Sequence, residues 1–269
     1  DFSGWDGRYN GQGLPKTWTG GAHVADKWNE DKNHISGNYR YAKQNVEING
    51  ATNTINALPG DSSNVTWQNK EQFSTADRHA ADVMYERKID SSSSIKVTAN
   101  AGQKTTKTYT HYNMIGALQN AEVTDTQYYN DRTITGDAVS TYINASLLYR
   151  KKFAKKGRTM SLDIKENYKD NQSEGILNSV INYADTTASQ TTNQRKINDG
   201  TSLAFSAKGT YTEPLSKKTF LIVDYSSSIN NNSSLNYSYN SIPGQLYSDV
   251  PNDTFSSNYR YNIFTNAGG

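Results

Sequence analysis

The side chains with chemistry to offer in this sequence are four histidines, a scatter of carboxylates and some aromatic residues in polar surroundings. His23, His34, His79 and His111 lack the His-x-x-x-His type of spacing that brings two imidazoles to one metal. Each reads instead as a strand or loop residue. Asp163, Glu166 and Asp224 stand among apolar residues, where they could line an aqueous lumen. Glycoside cleavage needs two such groups about 5–9.5 Å apart in different environments; nothing in the spacing supplies that pairing, and a solvated wall is the simpler reading. A Gly-x-Ser-x-Gly elbow, a phosphate loop and a dinucleotide fingerprint are absent, and Gly11-Gln12-Gly13 has no helix behind it. The absence of cysteine excludes thiol chemistry, disulfides and Cys-based zinc sites. The expectation is a protein that is not an enzyme, with no cofactor and no metal.

Binding is what remains. Trp67, Tyr128, Tyr129 and Tyr247 lie in stretches rich in Asn, Ser and Thr, where a ring stacks on a sugar or anchors at an interface. Trp67, Tyr128 and Tyr129 are the candidates for touching a cargo. The 28 basic and 26 acidic residues give a net charge of +2, too balanced for a nucleic-acid footprint, so no nucleic-acid partner is expected.

The elements that must position these residues are strands. Met160-Leu162-Ile164 alternate with Ser161-Asp163-Lys165, and Ile95-Val97-Ala99-Ala101 alternate with Lys96-Thr98-Asn100. Leu203-Phe205-Ala207, Leu221-Val223-Tyr225 and Ile35-Gly37-Tyr39-Tyr41 repeat the pattern. Strict alternation puts one set on each face of a sheet, here one apolar and aromatic, the other polar. No helical stripe of similar quality exists. Strands are predicted near 20–28, 33–43, 76–88, 94–109, 138–152, 158–170, 198–213, 218–228 and 256–265.

Connections alternate between short and long. Short turns centre near residues 30, 91, 155 and 216, spaced 61, 64 and 61 apart. Between them, the stretches 44–75, 110–135, 171–194 and 229–254 are rich in turn formers and read as long loops. Those loops carry a small acidic excess, whereas Arg150, Lys151, Lys152, Lys155, Lys156 and Arg158 crowd one short turn.

Composition points the same way. The hydrophobic share is only 34% and mean hydropathy is −0.84, yet the chain has 19 Tyr, 7 Phe and 4 Trp. A soluble enzyme with a large aliphatic core is excluded. An antiparallel up-and-down transmembrane β-barrel accounts for all of it, because such barrels face lipid with apolar residues and keep a polar interior. Their aromatic girdles use Tyr, their periplasmic turns are short and their external loops are long. No apolar run reaches the roughly 20 residues of a membrane helix. The opening Asp1-Phe2-Ser3-Gly4 lacks the basic and apolar parts of a signal peptide, so a mature or internal piece is expected.

Three strings carry a resemblance. They are Gly13-Leu14-Pro15-Lys16-Thr17 with Asp26-Lys27-Trp28-Asn29; the run from Lys88 to Asn100 (KIDSSSSIKVTAN); and Tyr149-Arg150-Lys151-Lys152-Phe153, continuing from Lys156 to Leu162 (KGRTMSL). Together they resemble the barrel portion of Bacteroidetes outer-membrane β-barrel proteins related to TonB-dependent receptors. The resemblance implies residence in the cell outer membrane and import of a bulky nutrient through a large plugged barrel. It also implies contact with outer-membrane lipid and, through a longer protein, with a TonB-type energising complex and a surface lipoprotein. No plug is recognisable, and residues 1–269 read as part of a single barrel domain, a fragment of a longer barrel without its plug. The competing expectation is a secreted or surface β-sheet adhesin, a binding module without transport. Such a module shares the alternation and the Asn, Ser and Thr richness.

Overall fold

A computed structural model of the chain describes residues 11–120, 123–185, 189–243 and 246–269. Residues 1–4 and Glu122, on which parts of the sequence reading bear, lie outside them. Among the described residues nine strands follow one another: β1 (Leu14–Trp28), β2 (Asn33–Leu58), β3 (Ser62–Lys88), β4 (Ser93–Gln119), β5 (Thr124–Lys152), β6 (Thr159–Tyr183), β7 (Ser189–Pro214), β8 (Phe220–Asn240) and β9 (Ser257–Gly268). A single 3-10 turn, Asp253–Phe255, precedes β9. All neighbours pair antiparallel in the order β1 to β9, an up-and-down meander. Each predicted strand falls on one of these nine, and the ends at the short turns agree to within two residues, but β1 to β8 run well beyond the predicted bounds at their other ends. Among the described residues the sheet is open, with β1 and β9 as its edges, and no closed barrel forms.

The short turns occur where expected, and local chemistry explains them. In the Asp90-Ser91-Ser92-Ser93 turn the Asp90 carboxylate accepts from the Ser92 amide at 2.6 Å, the Ser92 hydroxyl at 2.7 Å and the Ser93 hydroxyl at 2.5 Å. Those donors, Ser93 foremost, hold the carboxyl well below the usual carboxylate range. In the first turn Asn29, Glu30 and Asp31 all have φ near +55°.

The long loops are a different matter. Three of the four polar stretches are the far halves of strands, the first closed by a tight connection at residues 59–61 and the other two leading from β4 into β5 and from β6 into β7. Leu58 pairs with Ser62, and Gly60 and Asp61 turn the chain with positive φ. Among the described residues, the fourth keeps an irregular segment, residues 246–252, ahead of the 3-10 turn. The physical reason is that these halves are largely polar, with apolar residues such as Trp67, Ile115 and Val180 too scattered to set a period. Without a buried face there is no period-two signal, while Thr, Val, Ile and Tyr still favour extended backbone and the ladder satisfies the amides. With 25 to 29 residues in β3 to β7 where measured individually (27, 27, 29, 25 and 26), these strands reach about 80–95 Å at roughly 3.3 Å per residue.

Register assigns the faces. Leu162 pairs with Tyr149 and Gly209, Ile164 with Leu147 and Ala207, and Tyr211 with Val223, so all share one face, the apolar face. Leu203, Phe205 and Leu221 belong to it as well. Asp163, Lys165, Ser206 and Asp224 lie on the other, the polar face, as the alternation predicts. Among the described residues no second layer covers either face: the main contacts are those of neighbouring strands and of the 3-10 turn against β8. The buried hydrophobic residues among those described are small, namely Ala42, Val46, Val65, Ala76 and Ala117. Most sheets bury one face against another layer; this one holds together by its ladders.

Candidate functional site

Two surfaces define the functional geometry, and both follow from alternation. On the apolar face, the large side chains next to the short turns form a belt. Val24 is 58% exposed and Val223 49% exposed, with Val83, Ile143, Leu162 and Phe205 also open. The belt occupies about 9–11 residues of each strand above the short turns, the length a tilted strand needs to cross a bilayer. At its lower margin Trp28 stacks on Tyr85 at 6.2 Å, and Tyr149 and Tyr211 continue the row. Above it come charged side chains of the same face, such as Lys43 opposite Asp77 and Lys107 opposite Asp137. Asp26, opposite Ile35, is one exception; Glu166 is another. It lies on the apolar face between Ala145 and Phe205, not beside Asp163 and Asp224 as the lumen reading of all three carboxylates has it.

Behind this belt the polar face carries a ladder of hydrogen-bonding side chains. His23, Asn38, Asp82, Asn100, Asn144 and Asn167 are successive cross-strand partners from β1 to β6. His23 Nδ1 lies 2.7 Å from Asn38 Oδ1, Asn38 donates to Asp82 at 2.7 Å, and Asn144 donates to Asn100 at 2.7 Å. Lys165 meets Asp163 at 2.9 Å and Lys208 meets Asp224 at 3.1 Å, so these carboxylates are ion-paired. A groove lined by Glu86, Lys96, Thr98, Ser146, Arg150 and Asp163 opens on this face near the short turns. Farther up, Gly136 and Gly175 are direct partners, and their missing side chains leave a trough flanked by Arg132, Lys196 and Asn198.

The charge is divided between the faces. Counting the strands by register, with β5 from Tyr128 onward, the polar face holds fourteen Lys and Arg against four carboxylates, Asp82, Glu86, Asp163 and Asp224. The apolar face holds seven against eleven. A whole-chain net charge of +2 conceals this. Parity along each strand was the signal that could have found it, once the far halves were known to be strands.

The candidate aromatics are separated. Trp67 and Tyr129 both flank Ile115 in one cross-strand row of the apolar face, in the far half of the sheet. Tyr128 points the other way and covers Gly116, with its hydroxyl 3.7 Å from Met114 Sδ. All three belong to strands and not to loops. Tyr247 sits in the irregular segment before β9. The histidines are dispersed as well: His79 meets the Tyr39 hydroxyl at 2.8 Å, and His111 meets Asp131 at 3.0 Å. Among the described residues no group of three or more His, Cys, Asp or Glu could hold a metal ion.

The third short turn is fastened to β7. Arg158 makes two hydrogen bonds to Glu213 at 2.7 and 2.9 Å, Lys155 a third at 2.5 Å and the Tyr211 hydroxyl a fourth at 2.8 Å. The Arg158 guanidinium, then Lys155 and Tyr211, hold the Glu213 carboxyl down at about 2. In the far half, Arg195 pairs with Glu174 at 2.6 Å and lowers that carboxyl too.

Among the described residues no helix is long and apolar enough to cross a membrane. No family model and no curated protein matches the chain.

Proposed function

We propose that this sheet is part of the wall of an outer-membrane β-barrel of the TonB-dependent-receptor type, which binds a bulky nutrient and admits it to the cell. The observation that carries the reading is the exposed apolar belt of membrane-crossing length, backed across the sheet by the ladder from His23 to Asn167. In water such a belt would be an aggregation hazard. In a bilayer its cover is lipid, and the amide ladder lines a wet interior. The open edges at β1 and β9 are closed in this reading by further strands of a longer barrel, since a membrane tolerates no unpaired edge.

The short turns then face the periplasm and the far halves of the strands stand outside the cell as a rigid rim. Trp67, Tyr128 and Tyr129 belong to that rim, where incoming cargo is first met. An energising complex and a surface lipoprotein act through the full-length protein. No catalytic step is part of this function. The second reading, a surface or secreted adhesin, draws on the far halves being largely polar; it leaves the belt without a cover.

Cysteine labelling on intact cells tests the sidedness, because the chain has no cysteine of its own. With an impermeant reagent, Asp61→Cys labels at once, while Ser92→Cys and Lys155→Cys react only after the outer membrane is breached. Equal labelling of all three contradicts a barrel and favours the secreted module.

A further inference from the structure

The polar face is not uniformly charged. Its four carboxylates all lie within about six residues of a short turn, near the level of the apolar belt. Beyond that level, up to the register shift at Gly116 and Ala117, the described strand residues of this face carry Arg40, Lys70, Arg78, Lys104, Arg132, Lys169 and Lys196, and no carboxylate. Arg78 and Lys104 are direct cross-strand partners, an arrangement in which like charges repel and cost stability. Lys70 and Arg132 flank Tyr112 in one row, with Lys70 Nζ 5.9 Å from the ring centre. Two carboxylates of the opposite face have cations of their own there: Asp77 has Lys43 at 3.9 Å and Glu174 has Arg195 at 2.6 Å. The seven cations extend over about 10 residues of strand, roughly 33 Å, so they form a track and not a point site.

We infer that this track binds an extended anionic saccharide, a chain bearing carboxylate or sulfate groups, as it passes along the inner wall; the inference rests on the barrel reading above. Charge complementarity selects the anion, because a cation-lined concave wall concentrates counter-ions and guides them along its length. The surroundings select a saccharide. Thr106, Thr108, Ser173 and Asn198 line the trough that Arg132 and Lys196 flank and offer hydroxyl and amide partners to sugar hydroxyls, while Asp137 and Glu174, which also border it, belong to the opposite face by register. Strands that bind single-stranded nucleic acid instead present rows of exposed rings for bases. Here Tyr142 is laid over Gly102 and Tyr128 over Gly116, which takes both rings out of that use.

The test uses the full-length protein in detergent and in the outer membrane, with three probes of matched length: polygalacturonate, neutral dextran and a single-stranded oligonucleotide. Polygalacturonate should bind tightest and weaken as salt rises. The pair Arg78→Gln and Lys104→Gln, and separately Arg132→Gln and Lys196→Gln, should each weaken it about tenfold, as loss of two partly exposed ionic contacts does. Neutral dextran should be unaffected. Lys43→Gln with Lys107→Gln, on the opposite face, should leave polygalacturonate binding unchanged, and Lys104→Arg should retain it. Heat-modifiable mobility on a gel reports that each variant has folded. Equal binding of dextran, tighter binding of the oligonucleotide, or equal loss from the opposite-face pair overturns the inference. Correct sidedness in the labelling experiment together with any of those results discards the cargo class alone; wrong sidedness discards the barrel reading.

Discussion

Tyr142 lies across Gly102 between β4 and β5: a Cβ at residue 102 would stand 2.6 Å from Tyr142 Cε1 and 2.9 Å from the His79 carbonyl oxygen. The ring occupies the space that any other residue would fill, and in return covers backbone that glycine leaves bare. Gly102→Ala should therefore destabilise the fold by about 1–3 kcal/mol through overpacking. Tyr142→Ser in the same chain should recover part of that loss, since the ring is half of the clash and the His79 carbonyl remains. Urea unfolding of the two single variants and the double variant measures it; strict additivity would show that ring and glycine are not coupled.

The Glu213 contacts make the third turn sensitive to acid. A carboxyl at about 2 in the folded chain, against about 4.3 when unfolded, contributes stability that is complete above the unfolded value. That contribution fades as pH falls through the folded value. Glu213→Gln should loosen the segment 153–158 at pH 7, seen as faster amide exchange, and the difference from the parent should shrink toward pH 2. A difference that grows in acid would refute the assignment.

The first turn offers a gain. Glu30 sits with φ of +55° between Asn29 and Asp31, and of the three it is the least suited to left-handed backbone. Glu30→Gly should raise stability by about 0.5–1 kcal/mol, the relief of strain exceeding the extra freedom of glycine in the unfolded chain. An unchanged or lower urea midpoint would count against that backbone geometry.

The faces of β6 make a sharper prediction. Leu162→Arg should cost about 2–4 kcal/mol in a bilayer folding assay, and Asp163→Arg much less, because only the first places a cation against lipid. Equal tolerance would mean that the two residues see the same solvent.

What could be read in the sequence was set by burial. Wherever one face is apolar, as in Met160-Leu162-Ile164 or Ile95-Val97-Ala99, period two identifies strand, phase and face, and the nine strands emerge in their true order. The far halves escaped because residues such as Asn49 to Asn56 or Asn230 to Asn236 have water-compatible side chains on both sides, so their composition matches that of loops. The same gap hid the candidate site. Lys70, Arg132 and Lys196 become one track only when three apparent loops are recognised as paired strands with a fixed register. Trp67 and Tyr129 could not be separated from Tyr128 for that reason also.

The central claim is that Leu162 meets lipid while Asp163 meets water. Spin labels attached at Leu162→Cys and Asp163→Cys, with Val83→Cys and Asp82→Cys as a second pair, report it directly in bilayers of the assembled protein. Collision rates with oxygen, which partitions into lipid, and with a water-soluble nickel chelate distinguish the two environments. The account predicts high oxygen and low nickel accessibility at residues 162 and 83, and the reverse at 163 and 82. High nickel accessibility at all four positions would contradict it and leave a sheet that stands in water.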